Sequence, residues 1–503
     1  MITIGYDIGS SSVKAALFDA GSGKALSHSF YPKNEMKINS LKPGWAEQDP
    51  ETWWEAVKIL TRELLSDSRV SAKDIRAIGI TYQMHGLVLV DKNQKTLRPS
   101  IIWCDSRAVE TGNNAYKQIG EKKCLQHVLN SPGNFTASKL RWVIENEPKV
   151  FDKVYKFMLP GDFIAMKLSG EITTTPQGLS EGILWDFVSD EPAKLIMNHY
   201  NIHESLIPKI VPGFGFQCSL SKLAADEIGL KEGTPITYRA GDQPNNAFSL
   251  NILQPGEIAS TAGTSGVVYG ISENIKFDIE GRVNTFAHVN HTKELKRLGI
   301  LLCINGTGIS NSWIRKMLFD SAVSYEEINS LADTIKIGSD GITFLPFGNG
   351  AERMLSNKEL GSSFSGLNFN IHGKNHFVRS VVEGVAFSFY YGINILKELS
   401  VNPKIIRAGM ANMYLSKIFR DTISTLSGAV IQLYNTDGSL GAARAAAYGA
   451  GFYASFNEAF KGLECLMTVE PDIQNKNQYL SAYNNWLREL QFKLNNQCIQ
   501  NEA

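Results

Sequence analysis

Short apolar runs of period two alternate along the whole chain with longer stretches whose apolar residues recur at helical spacing, the pattern of an α/β protein. Thr3 to Ile8 reads as a strand, Gly9 to Ser12 as a turn and Val13 to Leu17 as the returning strand. The best-marked helix follows Asp49, a natural N-cap with Pro50 at the first helical position, and carries Trp53, Val57, Leu60 and Leu64 on one face. Ile78, Ile80 and then Leu87 to Val90 read as strands flanking Gln83-Met84-His85-Gly86. Val378 to Leu396 predicts a long helix, Ile405 and Ile406 a short strand, and Ser439 to Tyr453 an Ala-rich helix opened by Asp437-Gly438.

Two segments echo each other. A strand, Asp7-Ile8-Gly9-Ser10-Ser11-Ser12 and a second strand open the chain; a strand, Thr261-Ala262-Gly263-Thr264-Ser265-Gly266 and a second strand stand just past its middle. This predicts two domains of the same build, residues 1–250 and 251–503, with a hinge over Asn251 to Gly256 where Pro255-Gly256 breaks the pattern. A chain of 503 residues is long enough for both.

Fifty Lys and Arg against fifty Asp and Glu leave no net charge, which removes the main argument for a nucleic-acid or anionic-membrane partner. No uncharged apolar run reaches the roughly 18 to 20 residues of a membrane span, and the N-terminus enters a strand rather than a signal peptide, so cytoplasm is the expected compartment. Six cysteines, at 104, 124, 218, 303, 465 and 498, include no Cys-x-x-Cys pair and argue for reduced thiols.

A tight Gly/Ser/Thr hairpin can point several N–H groups and hydroxyls into one concavity that suits a phosphate, and two such hairpins across a cleft could clamp a polyphosphate. Taken singly, each is more often a plain β-turn. Neither is a Walker loop nor a dinucleotide fingerprint. Asp7, beside the first hairpin, reads as outer-shell support of Mg²⁺ on a nucleotide or as a turn cap. Asp242, in Ala240-Gly241-Asp242-Gln243-Pro244, sits on a Gly-flanked strand end where a carboxylate could orient a hydroxyl and take its proton, although a turn-forming Asp fits the same residues.

Gln83-Met84-His85-Gly86 with Trp103-Cys104-Asp105-Ser106-Arg107 offers donors, acceptors and one flat wall, a mixture that suits a polyol. The plainer alternatives are a core histidine and an Asp105 to Arg107 ion pair. His85 has no second His or Cys at metal-ligand spacing, which argues against zinc. Ala408-Gly409-Met410-Ala411-Asn412 and the segment from Asn435 to Gly441 place small residues at strand-helix turns, where a purine can lie against backbone or a helix can pack closely.

Taken together these residues resemble the FGGY family of carbohydrate kinases, over nearly the whole chain. Gly5-Tyr6-Asp7-Ile8-Gly9-Ser10-Ser11 and Gly263-Thr264-Ser265 are similar to the family's two phosphate hairpins. Thr136, Lys139, Leu140, Trp142 and Val143 match one family signature, and Phe364, Gly366-Leu367, His376-Phe377, Ser380 and Glu383 match a second. The block Trp45-x-Glu47-Gln48-Asp49-Pro50-x-x-Trp53-Trp54, with the Gln83 and Trp103 segments, is similar to the branch that phosphorylates xylulose. Tyr82 stands where that branch usually has Gly, and Gln243 where it has Asn.

The resemblance implies two actin-like, ribonuclease H-like α/β domains with a nucleotide and sugar cleft between them, closing on ATP and sugar. It implies ATP-dependent phosphorylation of D-xylulose on O5, or the same chemistry on glycerol, L-ribulose or gluconate, with a non-catalytic nucleotide switch as the alternative outside enzymes. Asp242 is then the general base, and Gln83, Met84, His85, Trp103, Asp105 and Gln243 bind sugar with it. Gly9, Ser10, Ser11, Ser12, Lys14, Gly263, Thr264, Ser265, Gly306, Thr307, Gly409, Met410, Ala411 and Asn412 bind the nucleotide, with Mg²⁺ outer-sphere to Asp7. A homodimer, common in the family, is expected by the same analogy.

Overall fold

The structure, a computed structural model, describes residues 1–502 apart from Arg69 and Ser321, and over 497–502 the backbone alone. Its first half is built on a sheet of six strands: β1 (Ile2–Ile8), β2 (Val13–Asp19), β3 (Lys24–Tyr31), β4 (Ile75–Tyr82), β5 (Phe214–Ser219) and β6 (Pro235–Gly241), in the order β5-β6-β4-β1-β2-β3. The hairpin pairs β1–β2 and β2–β3 are antiparallel, β1–β4 and β4–β6 are parallel, and β5 closes the edge antiparallel to β6. Helix α1 (Pro50–Asp67) is started by the Asp49 carboxylate, which accepts the Glu51 N–H at 3.0 Å. Its buried face carries Trp53, Val57, Leu60 and Leu64 onto the sheet. Three further helices frame the site: α2 (Thr136–Asn146), α3 (Pro176–Glu181) and α4 (Asp242–Ser249).

The second sheet repeats the first. Strands β7 (Glu257–Ala262), β8 (Gly266–Ser272), β9 (Asn284–Ala287), β10 (Leu298–Ile304), β11 (Ile405–Gly409), β12 (Val430–Tyr434) and β13 (Cys465–Val469) lie in the order β9-β10-β8-β7-β11-β12-β13. Here β7–β8 and β8–β10 are antiparallel, β7–β11 and β11–β12 parallel, and β13 antiparallel to β12. From β3 in the first sheet and β10 in the second to the far edge, the two sheets thus run through the same series of directions, so the echo between the two Gly/Ser/Thr hairpins is an echo of whole sheets. Helix α5 (Gly308–Leu318) follows β10, and α6 (Lys374–Glu398) buries Val378, Val382, Val385 and Leu396 against the second sheet.

The Ala-rich helix α7 (Gly438–Gly449) leaves the second sheet and packs on the first. Thr3 Oγ1 donates to the Ala443 carbonyl at 2.7 Å. The approach is close enough that a Cβ at Gly79 would stand 2.1 Å from the Ala442 carbonyl oxygen, so only glycine fits there. The small residues of this segment therefore serve helix packing. The helix ends at Gly449, four residues before the Tyr453 that periodicity indicates, because Gly451 turns into the left-handed region at φ 77° and its N–H closes on Tyr448. Asp242, expected on a strand end, is the first residue of α4 directly after β6. Cys104, Cys124, Cys218, Cys303 and Cys465 carry free thiols; the side chain of Cys498 lies outside those described. Among the described residues no helix is long and apolar enough to cross a membrane.

Candidate active site

Parallel strands that start level also end level, and the first sheet uses this to gather its chemistry. Ile8 and Gly241 both stand beside Tyr82 in the ladder, so Asp7, the Gln83–Gly86 loop and Asp242 emerge together at the carboxyl ends of β1, β4 and β6, where open α/β sheets place ligands.

The loop is held from several sides. His85 adopts φ 62°, a left-handed conformation that costs a non-glycine residue energy and persists only where the surroundings hold it. Lys139 on α2, itself buried, donates from Nζ to the carbonyls of His85 and Ile102 at 2.9 Å each. Thr136 Oγ1 donates to the Gly86 carbonyl at 3.3 Å. The signature residues of α2 are thus the scaffold under the loop. Burial pulls the Lys139 ammonium down to about 7, against the opposing pull of the Asp105 charge. The His85 ring lies between Phe135 (4.7 Å) and Phe286 of β9 (5.3 Å), and its Nδ1–H donates to the Glu181 carbonyl at 2.9 Å. Burial first, and the Lys139 charge next, push the imidazole down to about 3, so it is neutral with Nε2 left as an acceptor. Gln83 Nε2 donates to Gln48 Oε1 (3.3 Å), and Gln48 Nε2 donates to the Ser10 carbonyl (2.6 Å), linking this loop to the first hairpin.

Three acids converge beside it. Desolvation raises the Asp242 carboxyl to about 7, the charge of Asp7 adds to the rise, and hydrogen bonds from the Gln243 backbone and side chain oppose it. Asp7 is raised to about 6 by burial; Lys14, opposite it in the β1–β2 ladder, pulls it down and Asp437 pushes it up. Glu181, 2% exposed, is pushed well above the carboxylate range by burial and then by Asp242. A carboxyl poised near neutrality is what a general base requires.

At the second hairpin, Gly263 and Thr264 line a cavity of about 450 Å³ with Gly308, Asn311, Ser312, Tyr325, Asn329 and Asn412. The start of α5 is tied to this hairpin, since Gly308 N–H and Ile309 N–H donate to the carbonyls of Gly263 (2.8 Å) and Thr264 (3.1 Å). Gly409 faces open space. Met410 and Ala411 are engaged in the turn through their N–H groups, which reach the carbonyls of Tyr434 and Gly409. Thr307 is fully buried, its hydroxyl donating to the Ile304 carbonyl at 2.9 Å, and Gly306 lies under Glu352, whose carboxylate accepts its N–H at 3.2 Å. In the first hairpin Gly9 N–H donates to the Ser12 carbonyl, Ser11 is exposed, and Ser10 Oγ accepts the Trp103 indole N–H at 3.3 Å.

Asp105 stands apart from the others. It is fully buried, and its two oxygens accept the Ala46 N–H, the Arg107 N–H and the Arg107 guanidinium at 2.6 to 2.9 Å. The ion pair to Arg107, which stacks on Trp45 at 3.8 Å, shapes the loop that carries Trp103 and leaves no free carboxylate edge. Gln48, Glu181, Asn311 and Asn329 also stand at these places without a signal in the sequence. Gln48 lies inside a block already notable for its tryptophans. Glu181 has no local signal, and the asparagines sit on polar helix faces that read as solvated.

Two sibling sheets, each with a Gly/Ser/Thr hairpin, and Asp7 and Asp242 at strand ends of the first are those of a two-domain kinase of the actin-like fold. The chain belongs to the FGGY family of carbohydrate kinases, whose N-terminal domain matches residues 2–249. It is 30% identical over 492 residues to the xylulose kinase of Bacillus subtilis (strain 168), covering 95% of each chain. The fold is that of the solved xylulose kinase from Rhodospirillum rubrum, with TM-score 0.87 at 24% identity over 97% of this chain and 98% of that one. It is also that of gluconate kinase from Lactobacillus acidophilus, with TM-score 0.88 at 21% identity over 98% of each. The protein is a sugar kinase, with ATP and a small-molecule sugar as its substrates.

Proposed function

We propose that the protein transfers the γ-phosphoryl group of ATP to O5 of D-xylulose, with Asp242 as general base. The observation that carries this reading is the Asp242 carboxyl at about 7, at the carboxyl end of β6 and level with the Gln83–Gly86 loop. The first half, 1–250, binds the sugar; the second, 251–503, holds the nucleotide, and α7 returns to complete the floor. His85 Nε2 and the flat face of Trp103 receive the sugar. Asp242 aligns its terminal hydroxyl and takes the proton late, as a loose transition state asks of a base. Backbone donors and hydroxyls of Gly9 to Ser12 and Gly263 to Ser265 hold the phosphates, and closure of the halves excludes water.

Among the described residues no three His, Cys, Asp or Glu side chains form a metal cage, and two acids lie close together in the cleft. That donor set fits Mg²⁺ carried on the phosphates with Asp7 in its outer shell, where it would supply countercharge to the transferring group. The compartment in this reading is the cytoplasm, and the assembly a homodimer. A second acceptor, such as glycerol, L-ribulose or gluconate, is favoured by one feature: Gln243, whose longer side chain bonds Asp242 at the pocket. ADP release measured with each sugar in turn tests both. D-xylulose should give the highest kcat/KM; a preference of tenfold or more for another polyol would replace it.

A further inference from the structure

Glu181 closes helix α3 at the one place where the base turn, the sugar loop and the second sheet meet. Its main-chain carbonyl takes the His85 Nδ1–H at 2.9 Å. Its carboxyl Oε2 occupies the space beside Gly241: a Cβ on that glycine would stand 2.3 Å from Oε2, and 2.6 and 3.2 Å from Met84 Cγ and Sδ. The Tyr82 hydroxyl lies against the same carboxyl, and the Tyr82 ring fills the space over Gly161 beneath. One residue earlier, Ser180 Oγ accepts the Ala287 N–H at 2.8 Å, which ties this helix end to β9, the strand that brings Phe286 onto His85. Glu181 Oε1 is buried with no hydrogen-bond partner in the protein, in a region where such groups are expensive to leave unpaired.

We propose that Glu181 is a positioning residue: its carboxyl, wedged between Tyr82, Met84 and Gly241, sets the distance from Asp242 to His85 and thereby selects which sugar hydroxyl reaches the base. The inference rests on Asp242 being the base. The physical reason is volume and rigidity. Gly241 immediately precedes Asp242 and has no side chain to fix its place, so the Glu181 carboxyl acts as its missing packing partner. Met84, one residue before His85, closes the same space over Gly241 from its own side, its Cγ 2.6 Å from where a Cβ would stand. Removing the Glu181 carboxyl frees both loops at once, while the nucleotide cavity, on the other sheet, is not touched. Burial first, and the Asp242 charge next, push this carboxyl toward its neutral form, and a glutamine matches it in shape and volume.

The test is steady-state kinetics of Glu181→Ala, Glu181→Gln and Tyr82→Phe with ATP and a panel of D-xylulose, L-ribulose, glycerol and gluconate, alongside thermal unfolding of each variant. Glu181→Ala should lose tenfold or more in kcat/KM for the preferred sugar, narrow the preference between sugars by a similar factor, and leave the ATP KM within threefold. Glu181→Gln should recover most of the loss. Tyr82→Phe, which removes one hydroxyl and is the variant least prone to misfold, should move sugar preference in the same direction by a smaller factor. An unchanged sugar preference in Tyr82→Phe and Glu181→Ala, an equal effect on ATP and sugar KM, or a Glu181→Gln as impaired as Glu181→Ala would overturn the inference alone. A wild-type protein that releases no ADP in response to any polyol would overturn the functional reading, and this one with it.

Discussion

Replacing Asp242 by Asn should make the protein more stable and nearly inactive, and the two effects have one cause. In the folded chain the Asp242 carboxyl sits at about 7 against an ordinary 3.8, chiefly because burial strips it of water and secondly because Asp7 is beside it. A shift of roughly three units at about 1.36 kcal/mol each sets a ceiling of about 4 kcal/mol on the cost of ionising it in place. Relaxation of the open cleft and water entering it reduce the realised cost to about 1–2 kcal/mol. Because the folded state holds this proton more tightly than the unfolded chain does, the cost is absent below about pH 4, develops between pH 4 and 7, and is complete above that. Asn never incurs it. Thermal unfolding of the two proteins at intervals from pH 4.5 to 8.5 should therefore show the variant gaining on the wild type as pH rises. Turnover, by contrast, should fall about 10²- to 10⁴-fold, the usual contribution of a positioned base, with the sugar still bound. The reasoning fails in its chemical part if the variant keeps kcat within tenfold of wild type. It fails in its electrostatic part if the stability difference is flat with pH.

Three further substitutions separate the sugar side, the nucleotide side and the frame. His85→Ala removes the ring between Phe135 and Phe286; it should raise the sugar KM at least tenfold and the ATP KM less than threefold, and equal effects on both ligands would place His85 elsewhere. Thr264→Val removes a hydroxyl from the proposed nucleotide cavity and should act the other way, with initial rates against ATP as the measurement and an unchanged ATP KM and kcat as the contrary result. Gly79→Ala puts a methyl 2.1 Å from the Ala442 carbonyl oxygen, which neither backbone can easily yield. It should cost about 1–3 kcal/mol in urea unfolding, the range of an overpacked core, and a variant as stable as wild type would mean that α7 can lift off β4.

How much of this could be read from residues alone depends on the distance over which each feature is made. The hairpin at Gly9 to Ser12, the cap at Asp49-Pro50 and the strand before Gln83 are local, and their residues carry the geometry with them. The doubled sheet was visible because both halves use the same hairpin. The brace that Asp105 forms was not legible locally because its partners, the Ala46 N–H and the Trp45 face under Arg107, come from sixty residues upstream. Glu181 left no trace for the same reason. What makes it notable is Gly241 and Met84 around it, and neither is near it in the chain.

The floor of the cleft shows why long-range packing and chemistry are hard to separate here. Gly438 opens α7 directly against Asp7: a Cβ at Gly438 would stand 2.6 Å from Asp7 Oδ2. Asn245, three residues after Asp242, donates to the Gly438 carbonyl at 2.9 Å. The two acids that oppose each other's ionisation are thus held in place by one helix end, supplied by a segment almost two hundred residues beyond Asp242. Their mutual repulsion favours moving apart, and the close packing of α7 on β1 and β4, with no side chain at Gly5 or Gly79 to intervene, is what resists it. It follows that the small residues along α7 act on Asp242 through position alone: enlarging them should displace Asp7 and Asn245 before it exposes any core, so that, with Asp242 as the proposed base, activity should be lost ahead of stability.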